Sequence, residues 1–405
     1  VLSVAEAKPQ LVILGGGFAG LRALFRLQGL ADITLVDPRS TSLSKPGLPE
    51  VAFAGRPVHQ VRFPLRRLVE RHGARFAESA AVHIDPERKK VSLASGDDLS
   101  YDYLFVALGA TKDYDAIPGF REHGYSPCDD TQAPRLWEAL ETFAGGPVVV
   151  GSAPTATGTR VQAPKLLAAC EGPIGEAMFM LTHELGRRGL SASSQVSVFS
   201  PGPIFFEDVG EPVHRAMAPL IDAAGIKVHT SKTISRIGPA QVDFEDGSSL
   251  EAAFTVVIPP YRAADVIREP GLGDEAGYLP VGADMRHLDH PAIFGAGDAT
   301  ALAMPKLGHI AVHQADVACA AIRREITGKG SVPDYSPEVF CIMNRGGFDA
   351  TLILSDVLWG GRRDIAKSGE LAHLLKWGFD FYTFHTRGHV PPEVAQQTLE
   401  WIVGH

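Results

Sequence analysis

Near the start of this chain a short apolar strand runs straight into a glycine turn. Leu11-Val12-Ile13-Leu14 leads to Gly15-Gly16-Gly17-Phe18-Ala19-Gly20, and then to the helix-forming stretch Leu21 to Leu27. G-x-G-x-x-G between a strand and a helix leaves few folds open. Gly15 permits the tight turn, Gly17 lets a pyrophosphate approach the backbone, and Gly20 lets the helix pack closely on the strand. The helix N-terminus, with Phe18 and Ala19 beside it, offers free N–H groups and the positive end of its dipole to phosphates. A second strand, Ile33 to Val36, ends at Asp37, at about the 20-residue offset of a ribose-binding acid. The pattern predicts an α/β domain that binds a dinucleotide.

Composition narrows the partners. The 405 residues suffice for two or three domains, and 45% hydrophobic with 21% charged residues is a globular balance. A net charge of -9 is a poor match to nucleic acid. Four cysteines, Cys128, Cys170, Cys319 and Cys341, are too few and too dispersed for a disulfide scaffold, and no pair has zinc-finger spacing. His309 and His313 stand at i, i+4 without an H-E-x-x-H motif, so no metal is expected. No apolar run approaches the roughly 18 residues that span a bilayer. Val1-Leu2-Ser3-Val4 has neither the basic start nor the apolar run of a signal peptide, and a start at Val leaves room for a trimmed leader.

A second glycine-acid turn lies far downstream. Ile293-Phe294-Gly295-Ala296-Gly297-Asp298-Ala299 reads as a strand ending in a turn, followed by a helix from about Gly308 to Ile326. Together with Gly15 to Gly20 and the strand Tyr103 to Gly109, it resembles the two-dinucleotide-binding-domain flavoproteins. The resemblance implies that the first site holds FAD, and that Asp298 with Gly297 meets its ribityl and phosphate region. Lys306, just before the Gly308 helix, then stands as a cation for the anionic reduced flavin.

The chain also repeats itself. Val91 to Leu99 and Val242 to Leu250 are hairpins, each feeding an apolar strand, Tyr103 onward and Phe254 to Ile258. The second copy begins at Pro147-Val148-Val149-Val150-Gly151, but no G-x-G-x-x-G follows. Instead Gly151-Ser152-Ala153-Pro154-Thr155-Ala156-Thr157-Gly158 continues to Cys170 before the next helix. The strand Gln195 to Phe199 ends at Ser200-Pro201, without a ribose-binding acid. The expected fold is α/β, two tandem Rossmann-like dinucleotide-binding domains of the glutathione-reductase kind, with a C-terminal membrane-docking region. The expected limits are a first FAD-binding part at 1–114, a second domain with a degenerate NAD site at 115–258, the second FAD-binding part at 259–330, and a region of amphipathic helices at 331–405.

Without NAD(P)H the electrons need another donor, and the cysteines are the candidates. Cys170 precedes Pro173 and a helix through Leu185, where a dipole lowers a thiol's pKa. Cys170-Glu171-Gly172-Pro173-Ile174-Gly175-Glu176, with Cys128 in Ser126-Pro127-Cys128 and Cys341 in Val339-Phe340-Cys341, resembles the sulfide:quinone oxidoreductases and the related flavocytochrome c sulfide dehydrogenases. The resemblance implies that Cys170 and Cys341 face the flavin as a disulfide or sulfur-bridged pair. Hydrosulfide opens it to a persulfide and a thiolate, and two electrons pass to FAD. Polysulfide or zero-valent sulfur leaves. By analogy Cys128 handles departing sulfur or bonds the flavin. Glu176 is either a proton acceptor for hydrosulfide or a dipole partner. Cys319, in an alanine-rich helix, reads as core. Histidines near the sulfur site in some relatives are absent, Gln132 and Phe206-Glu207-Asp208 standing in those regions.

For the acceptor side, Trp377, Phe379, Phe381, Tyr382 and Phe384 crowd one segment bordered by Arg362, Arg363, Lys367, Lys376 and Arg387. That mixture fits an interfacial membrane element. The resemblance implies a membrane quinone entering there, with Phe348, Phe381 and Phe384 lining its path, and a peripheral, monotopic place on a prokaryotic plasma membrane. Tyr261 and Arg262 are expected to edge the sulfide side, and homo-oligomerisation is compatible with this plan. The rivals are a type II NADH:quinone dehydrogenase and the flavoprotein subunit of a cytochrome-linked sulfide dehydrogenase. Ser40 to Pro46 lacks the flavin-tethering cysteine of the latter.

Overall fold

The computed structural model describes residues 7–269 and 271–391. The N-terminal Val1-Leu2-Ser3-Val4 lies outside them, as does any helix of the expected C-terminal set beyond 391.

Apolar runs of four or five residues, buried on both faces, form parallel sheets. The first draws on β1 (Gln10–Leu14), β2 (Asp32–Val36), β3 (Arg75–Ala77) and β4 (Tyr103–Val106), with α1 (Phe18–Leu27) crossing between β1 and β2. The second comprises β5 (Gly124–Tyr125), β6 (Val148–Ser152), β7 (Val196–Phe199), β8 (Lys227–His229) and β9 (Phe254–Ile258). Its helices are α2 (Gly172–Arg187) and α3 (Glu211–Ala223). The chain then returns as β10 (Ile293–Gly295), pairing with β4 in the first sheet, and continues into α4 (Gly308–Thr327).

The strand orders are β10-β4-β1-β2-β3 and β5-β9-β6-β7-β8. In each, the strand fed by a three-stranded antiparallel hairpin sheet lies beside the strand that opens the unit. The repeat read in the sequence is thus a repeat of topology. Each sheet carries its own core, one containing Ile13, Phe105 and Phe294, the other Val150, Met178 and Val256. Cys319 is sealed in the first.

The region after 331 departs from the helical expectation. It opens with an antiparallel sheet of β11 (Val339–Gly346), β12 (Asp349–Ser355) and β13 (Asp364–Gly369), and only then forms α5 (Glu370–His385). Alternation explains it: Val339, Cys341 and Met343 face one way, and Ile342 packs with Leu352 and Ala372 on the other. No helix of the described residues is long and apolar enough to cross a membrane.

Candidate active site

The glycine turn has the geometry that its sequence demands. Gly15 sits at φ +104 with Ala107 O 2.3 Å from where a Cβ would stand, and a Cβ on Gly20 would lie 1.8 Å from Gly15 O. A Cβ on Gly17, by contrast, would meet nothing within 4 Å. The N-terminus of α1 thus has open space in front of it. Asp37 is buried, accepts Gly16 N–H at 2.8 Å on one oxygen and takes Arg39 N–H on the other.

The downstream turn converges on the same place. A Cβ on Gly297 would lie 3.0 Å from Ala311 Cβ and 3.7 Å from Ala19 Cβ, and one on Gly308 would touch the Phe18 ring at 3.6 Å. The N-termini of α1 and α4 and the Gly297-Asp298 turn thus face one another, and two positive helix ends meet at one cleft. Gly109, at φ +68 and likewise open in front, ends the strand beside it.

Three lysines surround Asp298. Burial opposes its charge, but Lys45, Lys306 and Lys112 outweigh that and hold its pKa below the usual range. Lys45 Nζ stands 3.9 Å away. Lys306 is buried, donates to Asp298 O at 3.0 Å and sits 4.0 Å above the Tyr278 ring. Burial lowers it to about 8, and Lys112 likewise. Lys112 had no signal in the sequence, being one polar residue in a short strand.

The cysteine pair is assembled from distant parts of the chain. Pro173 starts α2 just after Cys170, while the alternation of β11 turns Cys341 towards α2. Gly175 lets the two approach, since a Cβ there would lie 2.1 Å from Met343 Sδ. Cys341 Sγ and Cys170 Sγ lie 3.5 and 3.7 Å from the Cβ position of Gly172, so the sulfurs are no farther apart than the sum of those distances. Both are free thiols here. A small pocket opens on Cys341, lined by Gly172, Phe206, Asp208, Leu307, Met343 and Ile353 among others.

The groups packed around Cys170 act against the lowering expected from a helix dipole. Burial, then the nearby Asp208 carboxylate and Cys341, push its pKa well up, and the single Gly172 N–H does not compensate. Cys341 is pushed up to about 12 by burial, with Glu176 and Asp208 adding to it against Lys376.

Glu176 is neither free nor in the first helical turn. Its Oε1 accepts Asn344 N–H at 3.0 Å and pairs with Lys376 Nζ at 3.0 Å, and Lys376 also donates to Ile342 O at 2.9 Å. Lys376, read as part of the basic rim of a membrane element, is therefore turned inward. Cys128 stands apart from the pair: its Sγ is 3.8 Å from Tyr261 OH, whose ring lies under Lys112 Nζ at 4.7 Å. Arg262 turns away to Asp113 and Asp265.

In the second domain Phe199 of β7 is the cross-strand neighbour of Gly151 and packs on it, 2.3 Å from where a Cβ of Gly151 would stand. Ser200, at the place of the ribose acid, donates to Glu171 Oε1 at 2.5 Å, and Glu207 N–H donates to the other oxygen at 2.7 Å. The intervening segment docks on the first domain through Arg160 and Asp289, 2.9 Å apart.

The faces of α5 are inverted. Ala372, Lys376, Asp380 and Thr383 are buried, Asp380 pairing with Arg56 and Ser44. Leu371, Leu374, Trp377 and Phe381 are 48–61% exposed, with Phe348 at the β11–β12 turn 79% exposed nearby, against the ring of His373. Phe384 packs on the first core instead. Of the three aromatics expected on a quinone path, Phe348 and Phe381 are thus exposed and Phe384 is partly buried. Among the described residues no group of three or more metal-type ligands occurs.

Comparison with known proteins agrees with this architecture. The family described as pyridine nucleotide-disulphide oxidoreductase is matched over residues 9–315. A sulfide-quinone reductase of Aquifex aeolicus is 27% identical, over 96% of this chain and 94% of that protein. The X-ray structure of the sulfide:quinone oxidoreductase from the same bacterium superposes with a TM-score of 0.87 at 25% identity, covering 97% of this chain and 95% of that one. An NADH dehydrogenase-like protein of Mycobacterium tuberculosis is 26% identical over 73% of this chain and 74% of its own length.

Proposed function

This chain belongs to the pyridine nucleotide-disulphide oxidoreductase family, and on that premise we propose that it is a sulfide:quinone oxidoreductase. The observation that carries the reading is the convergence of Cys170 and Cys341 on Gly172, in a chain whose second domain has no G-x-G-x-x-G turn after Gly151. A type II NADH dehydrogenase needs such a turn for its nucleotide. The domain limits 1–114, 115–258, 259–330 and 331–405 follow the same reading.

We assign FAD to the first cleft. Gly15, Gly17, Phe18, Ala19 and Gly20 would cradle its pyrophosphate, and Asp37 its adenosine ribose. Gly109, Gly297, Asp298, Lys306 and Gly308 would line the rest. FAD, when bound, accepts an electron pair from sulfur and returns it to a quinone. Lys45, Lys112 and Lys306 balance the charge that gathers there.

The cysteines do the sulfur chemistry. In the oxidised pair, sulfide attacks Cys341, the one that opens to a pocket, leaving a persulfide on Cys341 and a thiolate on Cys170. Once the Cys170 thiolate had passed its electron pair to bound FAD, the cysteines would close again through the added sulfur, and each further sulfide would lengthen that bridge until polysulfide leaves. Cys128, against Tyr261, receives the departing sulfur. Glu176 fixes Cys341 through the Asn344 amide and Lys376 rather than moving protons itself.

The exposed apolar side of α5, with Phe348, supports docking on a membrane surface, which brings a quinone within reach. Burying polar groups inward while exposing Leu371, Leu374, Trp377 and Phe381 leaves an apolar face of the kind that marks an interaction or membrane surface.

Anaerobic titration tests this. Sulfide is expected to bleach the flavin, a short-chain quinone to restore its colour, and NADH to do nothing. Rapid bleaching by NADH, or none by sulfide, sinks the assignment.

A further inference from the structure

The pocket on Cys341 is almost wholly apolar. Of the side chains that line it, Asp208 alone carries a carboxylate, beside Phe206, Val209, Leu307, Val339, Met343 and Ile353. Asp208 is 6% exposed and lies near enough to both sulfurs to push both thiols up. No ion pair reaches it among the described residues. His214 of α3 faces it, but its Nε2 is engaged with Phe206 O at 2.9 Å. The other titratable groups around it are Glu207 beside it, Glu171 ahead of α2, and the two thiols.

A carboxylate in such a place shapes both what enters and what happens next. An anion entering a dry pocket beside a negative group meets desolvation and repulsion together. Neutral hydrogen sulfide meets neither, but is a poor nucleophile until it loses a proton. Burial, with Glu207 adding to it, pushes the Asp208 carboxyl up to about 6. That suits an acceptor working near neutrality.

We propose that Asp208 is the general base for sulfide, admitting it as the neutral dihydride and taking its proton as it attacks. The proposal rests on the cysteine-pair reading above. An S–H bond breaks and its proton goes to an Asp208 carboxylate oxygen. The freed sulfur pair forms a bond to Cys341 Sγ. The Cys341–Cys170 bond breaks, and its electron pair stays on Cys170 as thiolate. Sulfide is oxidised and the disulfide reduced, with total charge unchanged.

The test uses the flavin-loaded protein. Stopped-flow flavin reduction by sulfide is followed from pH 5 to 9 for the parent, D208N, D208E and C341S, with persulfide on Cys341 counted by mass spectrometry. The parent rate, divided by the concentration of neutral hydrogen sulfide, is expected to fall below pH about 6. D208N is expected to be slower by roughly 10²-fold or more above pH 7 and to lack the acidic limb, while D208E keeps the limb. Persulfide yield at short times follows the same order. Folding is checked by melting: an acid whose pKa is raised by folding costs stability above that pKa and none below the unfolded value near 4. D208N should therefore melt at or above the parent temperature at pH 7.5. Parental rates in D208N, or an unchanged acidic limb, overturn the role of Asp208. Sulfide bleaching retained in C341S overturns the cysteine pair itself, whatever D208N does.

Discussion

Replacing Lys376 by methionine probes the joint between α5 and the cysteine site. Lys376 Nζ lies 3.0 Å from Glu176 Oε1 and 2.9 Å from Ile342 O, the carbonyl just before Cys341. Both side chains of the pair are 11% exposed. At that separation an effective dielectric of about 20 gives roughly 5 kcal/mol of attraction. Withdrawing each ion from water costs several kcal/mol, so the intact pair is close to neutral in net stability. Losing one partner is a different matter, because a bare carboxylate then stays buried. K376M is expected to weaken the docking of α5 by about 3–5 kcal/mol. Hydrogen exchange of the 370–385 amides reads this directly, as opening made roughly 10²–10³-fold easier. E176Q keeps an oxygen for the Asn344 N–H and needs no cation. The double variant K376M/E176Q is therefore expected to recover about 2 kcal/mol relative to the sum of the single changes. A double variant whose loss of protection equals the sum of the two single losses would show no coupling and refute the clamp.

Two further expectations concern the cofactor cleft and the membrane face. G17A places a methyl where the protein itself has nothing within 4 Å, at a φ of -86 that alanine accepts. The flavin-free protein should melt unchanged while FAD affinity falls at least about tenfold, near 1.4 kcal/mol, read from flavin fluorescence on dilution. Unaltered affinity would mean that the pyrophosphate lies elsewhere. W377E/F381E alters side chains that are 56% and 48% exposed, so stability should move by less than about 1 kcal/mol. Flotation with liposomes should drop by roughly 10²-fold or more, from about 1.5–3 kcal/mol per apolar side chain. Undiminished flotation would assign that face to a protein partner.

The glycine turns were legible because their demands are local. A phosphate turn needs Gly15, Gly17 and Gly20 at set spacings, and the repeat of hairpin and strand is written in order along the chain. Cys170 before Pro173 announces a helix start in the same way. Asp208 gave a weaker sign. Phe206-Glu207-Asp208 stands where some relatives place a histidine near the sulfur site, yet only folding shows that Asp208 lies against Cys341, 133 positions away by number. Lys376 misled for a related reason: a lysine among exposed aromatics reads as part of a basic rim until its buried partner is known.

What the sequence determined by itself, then, is the pair of parallel sheets, the dinucleotide cleft and the identity of the candidate thiols. Each rests on backbone geometry or residue chemistry contained in a short window. The tertiary structure decided which charges face inward, that Glu176 is clamped and Asp208 is not, and that burial pushes the Cys170 thiol up. Those outcomes depend on which distant groups share a low-dielectric space, and a protonation state belongs to that space rather than to any neighbouring stretch of chain.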